Sequence, residues 1–182
     1  MPTDPQTVPA DTAQPLQAAM RRWDGKSAAA LAAIYQAHRA APDFVTDLVA
    51  ACAHPETETA GTWLIKHHCE RGQSDFPEPL RSTLYAQLPE FSSWEAQLHL
   101  LQCTDHLPIP EPSAQAVFRS VEVGATATKL LVKAWSLYGA AQLARQHPVY
   151  ATRVRAMLDQ AARREPKGAV AVRLRKAQAL LR

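Results

Sequence analysis

The sequence predicts an all-α fold: a solenoid of about four helical hairpins preceded by N-terminal helices. Three observations carry this. Of 182 residues 34 are alanine and only six glycine, and alanine is both the best helix former and small enough for close helix approach. No run alternates Val, Ile, Thr or aromatic residues as a half-buried strand would. Finally, Pro42, Pro77, Pro112 and Pro148 each open the first helix of a pair and lie 35, 35 and 36 residues apart. A fixed period of this size, with one hairpin per period, is the mark of a repeat array.

Residues 1–14 hold Pro2, Pro5 and Pro9 and read as a loose arm ahead of a single domain, 15–182. Helical periodicity starts at Leu16 with Ala19, Met20 and Trp23, and Asp24-Gly25 ends it. Ser27 is placed to cap the next helix, which carries Leu31, Ile34, Tyr35 and His38. After Pro42 come Phe44, Val45, Leu48, Val49 and Cys52, then a break at His54-Pro55. TETAGTWLIKHHCER follows and stops at Gly72, a good left-handed cap residue. Pro77 and Pro79 open PLRSTLYAQL, and Pro89 closes it.

The Ser92–Leu107 stretch has two apolar stripes, Trp94/Leu98/Leu101 and Ala96/Leu100/Cys103/Leu107. Two stripes predict neighbours on two sides. Ser92 and Glu95 have the spacing of a capping box. Pro112 opens SAQAVFRSVEV, expected to stop at Gly124, and Thr126 or Thr128 is expected to cap KLLVKAWSLYGAAQLARQ. The last pair, after Pro148 and Pro166, turns Tyr150, Val154, Met157, Leu158 and Ala161, then Val170, Leu174, Ala177 and Leu181, inward.

Charge is unevenly spread. Residues 145–182 carry ten Lys/Arg against two acids, a balance of +8, while the remainder has ten against fifteen, −5. Such asymmetry bears on partners. Three widely spaced cysteines, Cys52, Cys69 and Cys103, each fall in an apolar helical pattern. They read as reduced, buried thiols of a cytoplasmic protein. The N-terminus lacks the basic and apolar regions of a secretory signal, and no apolar run reaches spanning length. No membrane association is expected.

The last unit, PVYATRVRAMLDQAARREPKGAVAVRLRKAQALL, resembles a HEAT repeat of the armadillo-type superfamily. It has a Pro-led outer helix, a short turn, and an inner helix with Val172-Arg173 near its start followed by Ala177 and Leu180. Val132-Lys133, Leu137 and Ala141 repeat the pattern one unit earlier. The Pro77 unit puts Trp94 at the Val position and Glu95 at the basic one, and the aspartate usual in the HEAT intra-repeat turn is absent. The resemblance covers about residues 42–182. It implies a HEAT-like α-α superhelix whose inner helices line a concave face.

No G-x-S-x-G, P-loop, G-x-G-x-x-G or H-E-x-x-H motif occurs. No catalytic residue, cofactor or metal is assigned. His67-His68-Cys69 and the His99/Cys103 pair have metal-binding residue types, but neither supplies four ligands. The expectation is a non-enzymatic scaffold that binds a partner protein through the concave face. Trp63, Lys66, Lys133, Trp135, Arg173 and Arg175 are its candidate binding residues. The alternative is nucleic-acid binding through the basic C-terminal repeats. In that architecture the chain is similar to the HEAT-like alkylpurine DNA glycosylases, which need a carboxylate in the groove. The last two inner helices contain no Asp or Glu.

Overall fold

The computed structural model describes residues 16–182, so the expected arm at 1–14 lies outside the described residues. These residues form ten α-helices and no strand. They are α1 (Leu16–Arg21), α2 (Ala28–His38), α3 (Phe44–Ala51), α4 (Glu58–Glu70), α5 (Glu78–Ala86), α6 (Trp94–Gln102), α7 (Glu111–Gly124), α8 (Leu130–Gln146), α9 (Ala151–Ala162) and α10 (Gly168–Leu180).

The helices pack in two layers. In one, α2 touches α4, α4 touches α6, α6 touches α8 and α8 touches α10. In the other, α1 touches α3, α3 touches α5 and α5 touches α7. Contacts α1–α2, α3–α4, α7–α8 and α9–α10 join the layers as hairpins. Three of the four periodic prolines open an odd-numbered helix or the 3₁₀ turn ahead of it: Pro77 directly precedes α5, Pro112 lies in the first turn of α7, and Pro148 starts the Pro148–Tyr150 turn before α9, while Pro42 lies one residue ahead of Asp43, the N-cap of α3. Proline costs nothing there, because first-turn amides have no helical acceptor.

The layer position of an even helix decides its sequence. α8 has neighbours on three sides, and all its residues from Ser136 to Ala144 are buried. Five of those nine are Gly, Ala or Ser, so backbones approach closely. α6 is similar. Ala96, Leu98, Leu100, Leu101, Cys103 and Leu107 are all buried, as the two stripes require, with Leu98 the least covered. Trp94, however, is only half-buried, with the Lys129 ammonium 5.0 Å from its ring centroid.

Local caps differ from expectation at two places, the starts of α6 and α8. Ser93, not Ser92, caps α6: its hydroxyl accepts from the Ala96 amide and donates to Glu95. Ser92 instead donates its amide and hydroxyl to the buried carboxylate of Glu58, which also receives the Ser93 amide. Glu58 begins α4, so one carboxylate ties the starts of two even helices together. α7 ends at Gly124, as read. The glycine also serves close packing, since a Cβ there would sit 2.0 Å from the Ser136 hydroxyl of α8. Lys129 takes the N-cap position of α8, and no threonine side chain caps it. Ser27 and Gly72 behave as read: Ser27 accepts from the Ala30 amide, and Gly72 has φ +80°.

Candidate functional site

Helices α4, α6 and α8 each turn one edge away from the layers. On α8 it runs from Leu131 and Trp135 to Arg145, with the buried Tyr138 and Gln142 between them, spacings that keep residues on one side of a helix. On α4 it runs Thr59, Trp63, Lys66, His67 and Glu70, and on α6 it includes Glu95, His99 and Gln102. α10 adds Arg173. These edges lie side by side because the helices do.

At the C-terminal end the edge is a compact cluster. The Arg173 guanidinium lies 3.5 Å from the Trp135 ring centroid and 5.4 Å from that of Tyr138. Trp135 meets Tyr138 edge-on at 5.7 Å. The Tyr138 hydroxyl donates to Asp105 at 2.7 Å, and Gln142 donates to the same carboxylate. Burial, helped by the bond to Asp105, pushes the Tyr138 hydroxyl up, so it stays a donor at neutral pH. Asp105 comes from the 3₁₀ turn Cys103–Asp105 that follows α6.

At the N-terminal end the edge is tied down. Trp63 stacks on His67 with centroids 4.8 Å apart and planes 14° apart. Lys66 pairs with Glu70 at 2.8 Å. His99 faces Thr62 across α4–α6 at 3.2 Å; the Thr62 hydroxyl donates to the Glu58 carbonyl at 2.7 Å, which leaves His99 Nδ1 as the donor. Burial and then Lys66 hold His99 down to about 4, so it is neutral at pH 7.

The His67-His68-Cys69 run diverges in space. His68 is buried, accepts from the Tyr35 hydroxyl at 3.0 Å and donates to Asp75 at 2.8 Å. That bond holds the Asp75 carboxyl below its ordinary value. Cys69 enters the core. Cys103 donates to the His99 carbonyl at 3.2 Å, and its thiol is pushed well up by Cys69 and burial. Burial, with Glu58 nearby, likewise pushes Cys52 up. Thiols so shifted are poor nucleophiles and poor metal ligands. Among the described residues no three His, Cys, Asp or Glu gather as a metal site would require.

Of the six candidates, Trp135 and Arg173 come into contact, and Trp63 and Lys66 share the α4 edge. Lys133 and Arg175 do not join them. Residues two apart on a helix point about 200° apart, so Lys133 cannot share a face with Trp135, nor Arg175 with Arg173. Lys133 faces a cavity towards α9 and α10, and Arg175 is exposed. Asp105, Tyr138 and Gln142 were missed by sequence reasoning. Trp135, Tyr138 and Gln142 have the spacing of one helix edge, which was a usable signal; nothing local links Asp105 to them across 33 residues.

Compared with protein-family models, curated proteins and solved structures, the chain matches none. No helix among the described residues is long and apolar enough to cross a membrane.

Proposed function

We propose that this protein is a non-enzymatic, HEAT-like interaction protein whose even-helix edges form a concave recognition face centred on Trp135 and Arg173. The observation that carries the reading is the half-buried Trp135 with the Arg173 guanidinium 3.5 Å from its ring centroid. Trp, Tyr and Arg dominate binding energy at protein interfaces. A stacked guanidinium is held in place before a partner arrives, which lowers the ordering cost of binding. The Pro-led odd helices and the unbroken contacts between even helices support the superhelix. The three buried free thiols support a reducing compartment, the cytoplasm.

A second reading, nucleic-acid binding, is favoured by the +8 balance of residues 145–182. One ground against a glycosylase-like site is weaker than the sequence implied. The last two even helices lack a carboxylate, but Asp105 delivers one beside Tyr138.

The test is capture from cell extract on the immobilised chain at about 0.15 M salt, where screening acts over about 8 Å, beside titration of a labelled duplex at the same salt. The expected result is a captured protein lost with Arg173→Met, and duplex binding that vanishes at this salt. Tight duplex binding at that salt, lost with Arg173→Met, would replace the first reading with the second.

A further inference from the structure

A cavity of about 700 Å³ opens between the α7–α8 connection, α9 and the start of α10. Its volume is within the roughly 300–1,000 Å³ of small-molecule sites. It lies on the side of α8 away from Trp135, so it is separate from the recognition face. The floor is aliphatic: Leu130, Leu137, Met157 and Val170. Leu130 is 64% exposed although it begins a long buried helix, and a covering ligand would recover the cost of wetting it. Met157 can adapt its shape to an alkyl body.

The rim is cationic: Lys133, Arg163, Arg164 and Lys167. None of the four forms an ion pair among the described residues. The one acid in the lining, Glu122, is already engaged by Arg153 at 2.8 Å. Arg163 and Arg164 have an ordinary explanation, since cations favour the C-terminal end of a helix such as α9. Lys167 has the opposite relation. It occupies the N-cap position of α10, where a cation is disfavoured and where no side chain caps the first-turn amides. Lys167 thus joins Lys133, Arg163 and Arg164 in the lining of an apolar cavity at the start of α10. The lining contains no aromatic ring, so nothing offers a base a surface to stack on.

We propose that this cavity binds a free amphipathic organic anion, its alkyl body on Leu130, Leu137 and Met157 and its phosphate or carboxylate head between Arg163, Arg164 and Lys167. Charge-assisted bonds from guanidinium and ammonium fix the head, and apolar burial supplies the rest.

The probe is decyl phosphate, kept monomeric, titrated calorimetrically into the full chain. Saturable one-to-one binding is expected, with inorganic phosphate and decanol each weaker by about ten-fold or more, because each makes half of the contacts. The exposed double variant Arg163→Gln/Lys167→Gln should keep the helical circular-dichroism spectrum and lose about ten-fold in affinity, whereas Lys176→Gln on the outer part of α10 should change nothing. Decanol binding as well as decyl phosphate, indifference to the double variant, absence of saturable binding, or co-sedimentation with anionic phospholipid vesicles without monomer binding would each overturn the proposal.

Discussion

The two ends of the even-helix layer are held together by different means. Between α2, α4 and α6 the fastening is polar, fully buried at Tyr35–His68 and partly buried at His68–Asp75, Glu58 to Ser92 and Ser93, and Thr62–His99. Around α8 it is steric, through Gly124 of α7 against Ser136, Gly139 against Leu101 of α6 and Val121 of α7, and the alanines of α8. The polar end engages most of its functional groups in the fold. The steric end needs few polar groups for folding, and its cations remain at the surface: Arg173 over an aromatic pair, and Lys133, Arg163, Arg164 and Lys167 around a cavity. The two ends therefore differ in what each has left to offer a ligand, and both proposed sites fall at the steric one.

The polar end should break hardest. His68→Ala removes two hydrogen bonds and leaves the Tyr35 hydroxyl without a partner in a core that includes Phe44 and Phe76. A loss of about 3–5 kcal/mol is expected in urea unfolding, combining the cavity and the orphaned donor. A loss under about 1 kcal/mol would mean the network contributes little.

The same end should also be the more sensitive to acid. His99 is held at about 4 in the fold against an ordinary 6.5. A depressed histidine means the unfolded chain binds the proton first. Stability from this group is therefore full above pH 6.5 and declines as pH falls towards 4, by about 3 kcal/mol at most. His99→Gln should flatten the difference between unfolding curves at those two pH values. An unchanged acid limb in the variant would remove His99 as its cause.

At the steric end, Gly124→Ala should cost about 1–3 kcal/mol by overpacking against Ser136. Alanine's better helix propensity, about 1 kcal/mol, works the other way. The overlap wins because the Ser136 Cβ itself lies 2.9 Å away, and rotating the hydroxyl does not relieve that contact. A stabilised variant would show that α7 and α8 can part without loss.

What the sequence made legible follows from period. Helices and their pairing were readable because prolines recur every 35 or 36 residues and Leu/Ala stripes recur at helical spacing. The Ser27 cap and the left-handed Gly72 were readable because each depends on residues close in sequence. Gly124 was legible as the end of α7, but its packing role was not, because the group that requires it, Ser136, sits on the next helix. Ser92 was misread as a cap for the same reason, its partner Glu58 being 34 residues away. In the site, Trp135 with Arg173 came from composition and unit position, while grouping Lys133 and Arg175 with them ignored the turn angle of the helix. The cavity was not legible at all, since three separate segments build it.

The proposed recognition face requires Arg173 to be available to a partner and not needed for folding. Arg173→Met keeps the aliphatic stem and removes the guanidinium, so it separates those roles in one variant. A stability change of under about 1 kcal/mol in urea unfolding, the value of a partly exposed cation–π contact, together with about ten-fold or greater loss of protein capture at 0.15 M salt, is the predicted result. A stability loss of more than about 2 kcal/mol with capture intact would contradict it, and would make the Trp135–Arg173 pair part of the packing between α8 and α10.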